Sequence, residues 1–209
     1  MTIRLQEVHP SIVHFPIALF PVSIGTDMVG RATGKRGLLE TARHTIELAA
    51  VGAALSGISG LIAQEEVNVE GETMDMLITH RNLNIAATLV MGALALWRSR
   101  HYRPTLSYLG VGLAGVGALA YSAYLGGSLV YKHGVGVKRA GGQHRDNPPE
   151  LGKGGRNAAF ARDAAVDLVH GVKHLGQEVG EGKIVPSLTG DGAARAASRK
   201  KRSSATANT

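Results

Sequence analysis

The chain has 209 residues, no cysteine, 28 glycines and only 4% aromatic residues, with a formal net charge of +7. Without cysteine there is no disulfide, no thiolate metal site and no conventionally ligated iron–sulfur cluster, so metal chemistry falls to histidine and carboxylate. Nor does the positive charge point to nucleic acid: seven basic residues sit in two short loops between apolar segments, and the mean hydropathy of +0.03 averages an apolar Gly/Ala-rich stretch, 1–137, with a polar basic one, 138–209.

A membrane-crossing helix needs about 20 mainly apolar residues. The first candidate, 11–29, follows charged Arg4 and Glu7 and lacks a small-residue cleavage pattern, so it reads as a retained span and not a signal peptide. It contains Pro16, near its start where a missing donor is tolerated, and Pro21, which predicts a bend near Ile17. The second, 46–63, carries Gly52, Ser56 and Gly60 at steps of four. The third, 80–97, is apolar only from Leu83 to Trp97, so His80, Arg81 and Asn82 are expected to form its first turn at the interface. The fourth, 106–131, repeats the small-residue pattern at Ala114, Ala118, Ser122 and Gly126. Such stripes let helix backbones approach closely in lipid, where no hydrophobic drive holds helices together. A soluble bundle would show a charged face on each helix; Val111 to Val130 has no charge. The expected fold is all-α: a four-helix transmembrane bundle over 1–137.

The loop after the first span carries Arg31, Lys35, Arg36 and Arg43, and the loop after the third carries Arg98, Arg100 and Arg103. The loop between the second and third spans, 64–79, holds Glu65, Glu66, Glu70, Glu72 and Asp75 and no Lys or Arg. The positive-inside bias puts the basic loops in the cytoplasm and both termini outside. Lys132, Lys138, Arg139 and Arg145 near the fourth span argue weakly the other way.

Beyond 137 the sequence Gly-Gly-Gln-His-Arg-Asp-Asn-Pro-Pro marks a linker. Phe160, Ala164, Leu168, Val172, Leu175 and Val179 then predict an amphipathic helix over 157–179. One such helix is unstable alone and is expected to lie on the membrane surface or on a partner. His170 and His174, one turn apart, offer either a metal pair or simply a solvated face. Residues 186–209 have a disordered composition.

Antiparallel spans gather His9, His14, His80 and His133 at one membrane face, with His44 and His101 at the other. Ionisable groups at membrane depth face the bundle interior or a water-filled cavity, and His14 is expected to lie deepest. Two imidazoles from facing helices can hold a b-type haem; three can hold a zinc or copper ion, with Glu65, Glu66 and Asp75 as outer carboxylates. The plain alternative is that His9 satisfies amides at a helix start and that His80 and His133 are structural interfacial residues.

The opening His9-Pro-Ser-Ile-Val-His-Phe-Pro-Ile-Ala-Leu19, Asp27, His80, and Gly127-Ser-Leu-Val-Tyr-Lys-His-Gly-Val-Gly-Val137 resemble the bacterial membrane family called domain of unknown function 2231, over residues 5–137. The resemblance implies a four-helix membrane domain with His14, His80 and His133 at motif positions. It also implies electron transfer, since some members are joined to Rieske-type iron–sulfur domains; this chain would need a separate redox partner. Two functions follow. The first is a membrane electron-transfer or metal-binding protein, with haem b among His14, His80 and His133, or zinc or copper held from His9, His14, His80 and His133. The second is a non-catalytic accessory subunit of a larger membrane complex, contacting other membrane or redox subunits through its small-residue stripes and tail. A transporter is disfavoured because no span has a charge near its middle. No phosphate loop, nucleophile elbow or metalloprotease helix is present. The expected location is the bacterial inner membrane, multi-pass, with termini and histidines on the outer face.

Overall fold

A computed structural model describes residues 3–136, 150–151 and 157–189. Two-residue strands β1 (Ile3–Arg4) and β2 (Glu150–Leu151) pair antiparallel; everything else regular is helical. The helices are α1 (Leu5–Ile12), α2 (His14–Thr33), α3 (Arg36–Ala63), a 3-10 turn (Gln64–Glu66), α4 (Glu72–Arg100), α5 (Leu106–Tyr131), α6 (Asn157–Gly180) and α7 (Pro186–Thr189). Of the stretch 186–209 expected to be disordered, Pro186–Thr189 instead form α7 with Pro186 buried, and the remainder lies outside the described residues.

The first span is interrupted at Val13, a single residue whose backbone stays right-handed helical at φ −58° and ψ −24°. Helix now begins upstream, at Leu5, so Pro16 stands inside the helical run. Its ring crowds the carbonyl four residues back, at Ile12, and it offers no donor there. Pro21, in contrast, is carried within α2. That helix ends at Gly34, whose φ of 70° needs the left-handed region and whose N–H caps the Gly30 carbonyl.

The acidic segment expected as a loop is partly helical. Gly71, at φ 59°, turns the chain into α4, which starts at Glu72, two turns before His80. Glu72 and Asp75 sit in its first turn, where negative charge favours the helix dipole. In α5, the Thr105 hydroxyl accepts the Tyr108 N–H at 3.1 Å, closing the helix start.

Helix α2 packs on α3, α3 on α4, α4 on α5, and α5 returns to α2, closing a four-helix ring braced by α1 against α3. Phe20, Ile24, Ile46, Ala53, Met91 and Leu119 form its apolar centre. Phe20 and Ile24 rest on Gly115 and Gly112, where an added Cβ would stand 3.0 and 2.5 Å from their side-chain carbons. Outward positions are also apolar: Leu48, Val51, Leu55 and Ile58 of α3 and Leu89 and Leu96 of α4 are all exposed. A surface of that kind suits lipid.

Three helical stretches are long and apolar enough to cross a membrane: Val8–Thr33, Arg36–Glu66 and Leu106–Tyr131. The α4 helix is not among them, because Glu72, Asp75, Arg81, Arg98 and Arg100 interrupt it. Two of those charges are internal. Arg98, 1% exposed, donates from Nε and Nη2 to the Asp27 carboxylate at 2.9–3.2 Å and from Nη2 to the Leu39 carbonyl at 2.8 Å. Arg81, 8% exposed, pairs with Glu178 at 2.6 Å.

The tail helix α6 forms where the apolar period places it and lies across the end of α3. Its Gly171 faces the Leu61 carbonyl so closely that a Cβ would stand 2.5 Å from the oxygen. His174 Nδ1 meets the Glu65 carboxylate at 2.9 Å. Asn82 donates to the carbonyls of Lys183 and Ile184, and the Thr79 hydroxyl accepts the Ser187 N–H at the start of α7. Within this chain, then, the tail covers its own bundle.

Candidate functional site

Helix α1 packs on α3, and this brings His9 to the end of that helix. Its Nδ1 lies 2.9 Å from the Ser56 carbonyl, a bond in which the imidazole N–H donates. Ser59 assists by donating its hydroxyl to the same carbonyl at 3.0 Å. The ring lies flat against Gly60, whose added Cβ would be 3.1 Å away.

His80 of α4 is held the same way, by α5. Its Nδ1 lies 2.8 Å from the Ser122 carbonyl, the Ser122 hydroxyl returns a bond to the His80 carbonyl at 3.2 Å, and the Asn84 amide donates to Nε2 at 3.0 Å. Gly126 gives the ring its place: a Cβ there would be 2.8 Å from Cε1. Small residues of the two stripes therefore serve this chain's own packing. Gly52 meets Phe15 and Pro16, Gly60 meets His9, and Ser122 and Gly126 meet His80. The close approach expected of both stripes is thus used within the chain, while Ala114 of the fourth-span stripe stays exposed.

The two imidazoles stand 6.3 Å apart between centroids, edge to face at 83°. Both are half-buried. With each Nδ1 committed as donor to a backbone carbonyl, each ring carries its lone pair on Nε2, and that of His80 already accepts the Asn84 amide at 3.0 Å. Beside them is a small cavity of about 10 Å³, room for one water, lined by Val13, Pro16, Ala53, Ser56, Asn84 and Thr88.

The other histidines stand apart from this pair. His14 opens α2 with its side chain exposed, so it does not face the bundle interior as expected. His133 bonds the Thr73 hydroxyl at 3.1 Å, and Thr73 is two helical turns, about 10 Å, outward from His80. Glu65 is taken by His174. Among the described residues, no group of three or more His, Asp or Glu side chains converges on one point. At the opposite end His101 stacks on Trp97 at 4.0 Å, and His44 approaches Glu47 at 3.5 Å. His144 lies outside the described residues.

Sequence reading passed over Ser56, Ser59, Asn84 and Ser122 as hydrogen-bond partners of the two histidines. Asn84 carried a signal, standing one turn after His80 on the same helix face. The serines looked like packing residues, which they also are.

A family model described as "Predicted membrane protein (DUF2231)" matches residues 6–139. No curated protein and no solved structure matches the chain.

Proposed function

Since the chain belongs to the DUF2231 family of predicted membrane proteins, whose match spans the helical bundle, we propose that it is a four-span membrane protein built around a two-histidine metal site. In this reading His9 and His80 are the ligands, and the protein serves electron transfer together with a separate redox partner. The observation that carries it is the His9–His80 pair: two imidazoles from different helices, 6.3 Å apart, each with Nδ1 fixed on a carbonyl.

Counting α4 as the fourth span rests on where its charges go. Arg81 and Arg98 are paired inside the protein with Glu178 and Asp27, so neither meets lipid, and Leu89 and Leu96 do. About 25 Å of helix separates the two arginines, close to the thickness of the hydrocarbon core. The basic loops face the cytoplasm of the bacterial inner membrane, and the histidine end faces outward. Arg98 drops out of that charge comparison, but Arg31, Lys35, Arg36, Arg43, Arg100 and Arg103 remain.

Tight packing favours an ion over haem. Gly60 and Gly126 are already covered by the imidazoles themselves, which leaves a macrocycle no slot between them, whereas a single ion needs only that Asn84 turn away from His80 Nε2. Imidazole donors suit copper and zinc, and copper supplies one-electron chemistry. His14 and His133 are then not ligands.

Metal analysis and a visible spectrum of the purified full-length protein test this reading. The expected result is about one copper or zinc per chain, lost in His9→Ala and in His80→Ala and retained in His14→Ala and His133→Ala. A Soret band would make the ligand haem instead. Metal-free protein, unable to take up either ion, would leave the accessory-subunit reading, which the saturated Nδ1 bonds also accommodate.

A further inference from the structure

Charge is segregated around α6. Asp167 is 5% exposed on the side turned to the bundle, Asp163 is half-buried, and Glu178 reaches Arg81. Gly171 and His174, which touch Leu61 and Glu65, lie on this same face. The opposite face is apolar and basic. Val166, Val169, Val172 and Val179 are 45–52% exposed, and Arg162 and Lys173 are exposed beside them. At 3.6 residues per turn these six positions fall within an arc of about 140°, centred almost opposite the acidic face.

A helix docked in water by its acidic side has no reason to present a valine row outward. The level at which α6 lies supplies one. The exposed apolar row of α3, Leu48, Val51, Leu55 and Ile58, ends one turn before Leu61, where α6 crosses. That level is where the spans leave the hydrocarbon, in the zone of lipid headgroups. Valines reaching toward acyl chains with arginine and lysine alongside are the pattern of an interfacial helix on an anionic bilayer. We propose that the outer face of α6 binds the surface of the same membrane, selecting anionic lipid headgroups, so that the helix is clamped between the bundle end and the bilayer. This reading is independent of the metal site.

The absence of native cysteine allows a single probe. Full-length Val169→Cys, labelled with an environment-sensitive fluorophore, is reconstituted into phosphatidylcholine vesicles and into vesicles containing one quarter phosphatidylglycerol. Expected are a blue-shifted emission and roughly twofold stronger quenching by brominated lipids in the anionic vesicles, weakening as salt is raised and on Arg162→Glu with Lys173→Glu. A probe at Glu70→Cys, in the exposed loop, should show no such difference. Val169→Cys emission and quenching that are the same in both vesicle types and insensitive to salt would overturn the selection of anionic lipid. Absence of lipid quenching in either would overturn the membrane contact altogether, and the salt titration needs no charge variant.

Discussion

Replacing Asp27 by alanine leaves the Arg98 guanidinium without its carboxylate at a site where the arginine is 1% exposed. Removing one partner of a buried ion pair costs about 3–5 kcal/mol, because the remaining charge stays desolvated. Arg98 keeps the carbonyls of Leu39 and His101, so the lower end, about 3 kcal/mol, is expected. Against a total stability of roughly 5–15 kcal/mol this is a large fraction. Trp97 is the single tryptophan, adjoins Arg98 and stacks on His101 and Tyr108, so its fluorescence reports this end of the bundle during unfolding in mixed micelles. Asp27→Leu combined with Arg98→Leu should recover much of the loss, since no buried charge is then left unpaired. A cost below about 1 kcal/mol for Asp27→Ala would mean that the pair is solvated, and the placement of Arg98 inside the bundle would be refuted.

Gly126→Ala places a methyl 2.8 Å from His80 Cε1, so the ring must leave the Ser122 carbonyl. Overpacking of about 1–3 kcal/mol is expected in the same unfolding assay, together with loss of bound metal. Gly171→Val sets a side chain 2.5 Å from the Leu61 carbonyl oxygen, a backbone atom that cannot yield; hydrogen exchange over α6 should rise sharply while α2 to α5 stay protected. Thr73→Val removes the hydroxyl facing His133 and should cost about 1 kcal/mol. Metal content should stay at the wild-type value in that variant; if it falls, His133 belongs to the site.

Most of the fold was legible because lipid-facing helices declare themselves by uninterrupted apolarity, as Val111 to Val130 does. Where charge intervened, sequence position misled. Arg98 read as a topology-setting loop residue, yet it is the inward half of a pair whose partner lies far away in the chain. The helix break fell at Val13 because the proline judged harmless, Pro16, lay deeper in helix than the apolar boundary suggested. Helix facing decided the histidines. Reckoning depth along the span favoured His14, but His14 lies on the exposed side of its helix, while His9 meets Ser56 and Gly60. His80, expected in a first turn at the interface, stands two turns into α4 and meets Ser122 of α5. Small-residue stripes were legible as close-packing devices, but not which element would fill them. The tail's amphipathic period was equally clear, while its seat depended on Gly171, Glu178 and Asn82 meeting residues of α3 and α4.

The central claim is that His9 and His80 together hold one metal ion, and titration of metal-depleted full-length protein with copper tests it most directly. The account predicts saturation near one equivalent, with electron paramagnetic resonance showing imidazole nitrogen coupling that disappears in both His9→Ala and His80→Ala while the helical content is unchanged. Binding that persists when either histidine is replaced, or that is lost instead with His14→Ala or His133→Ala, would contradict it.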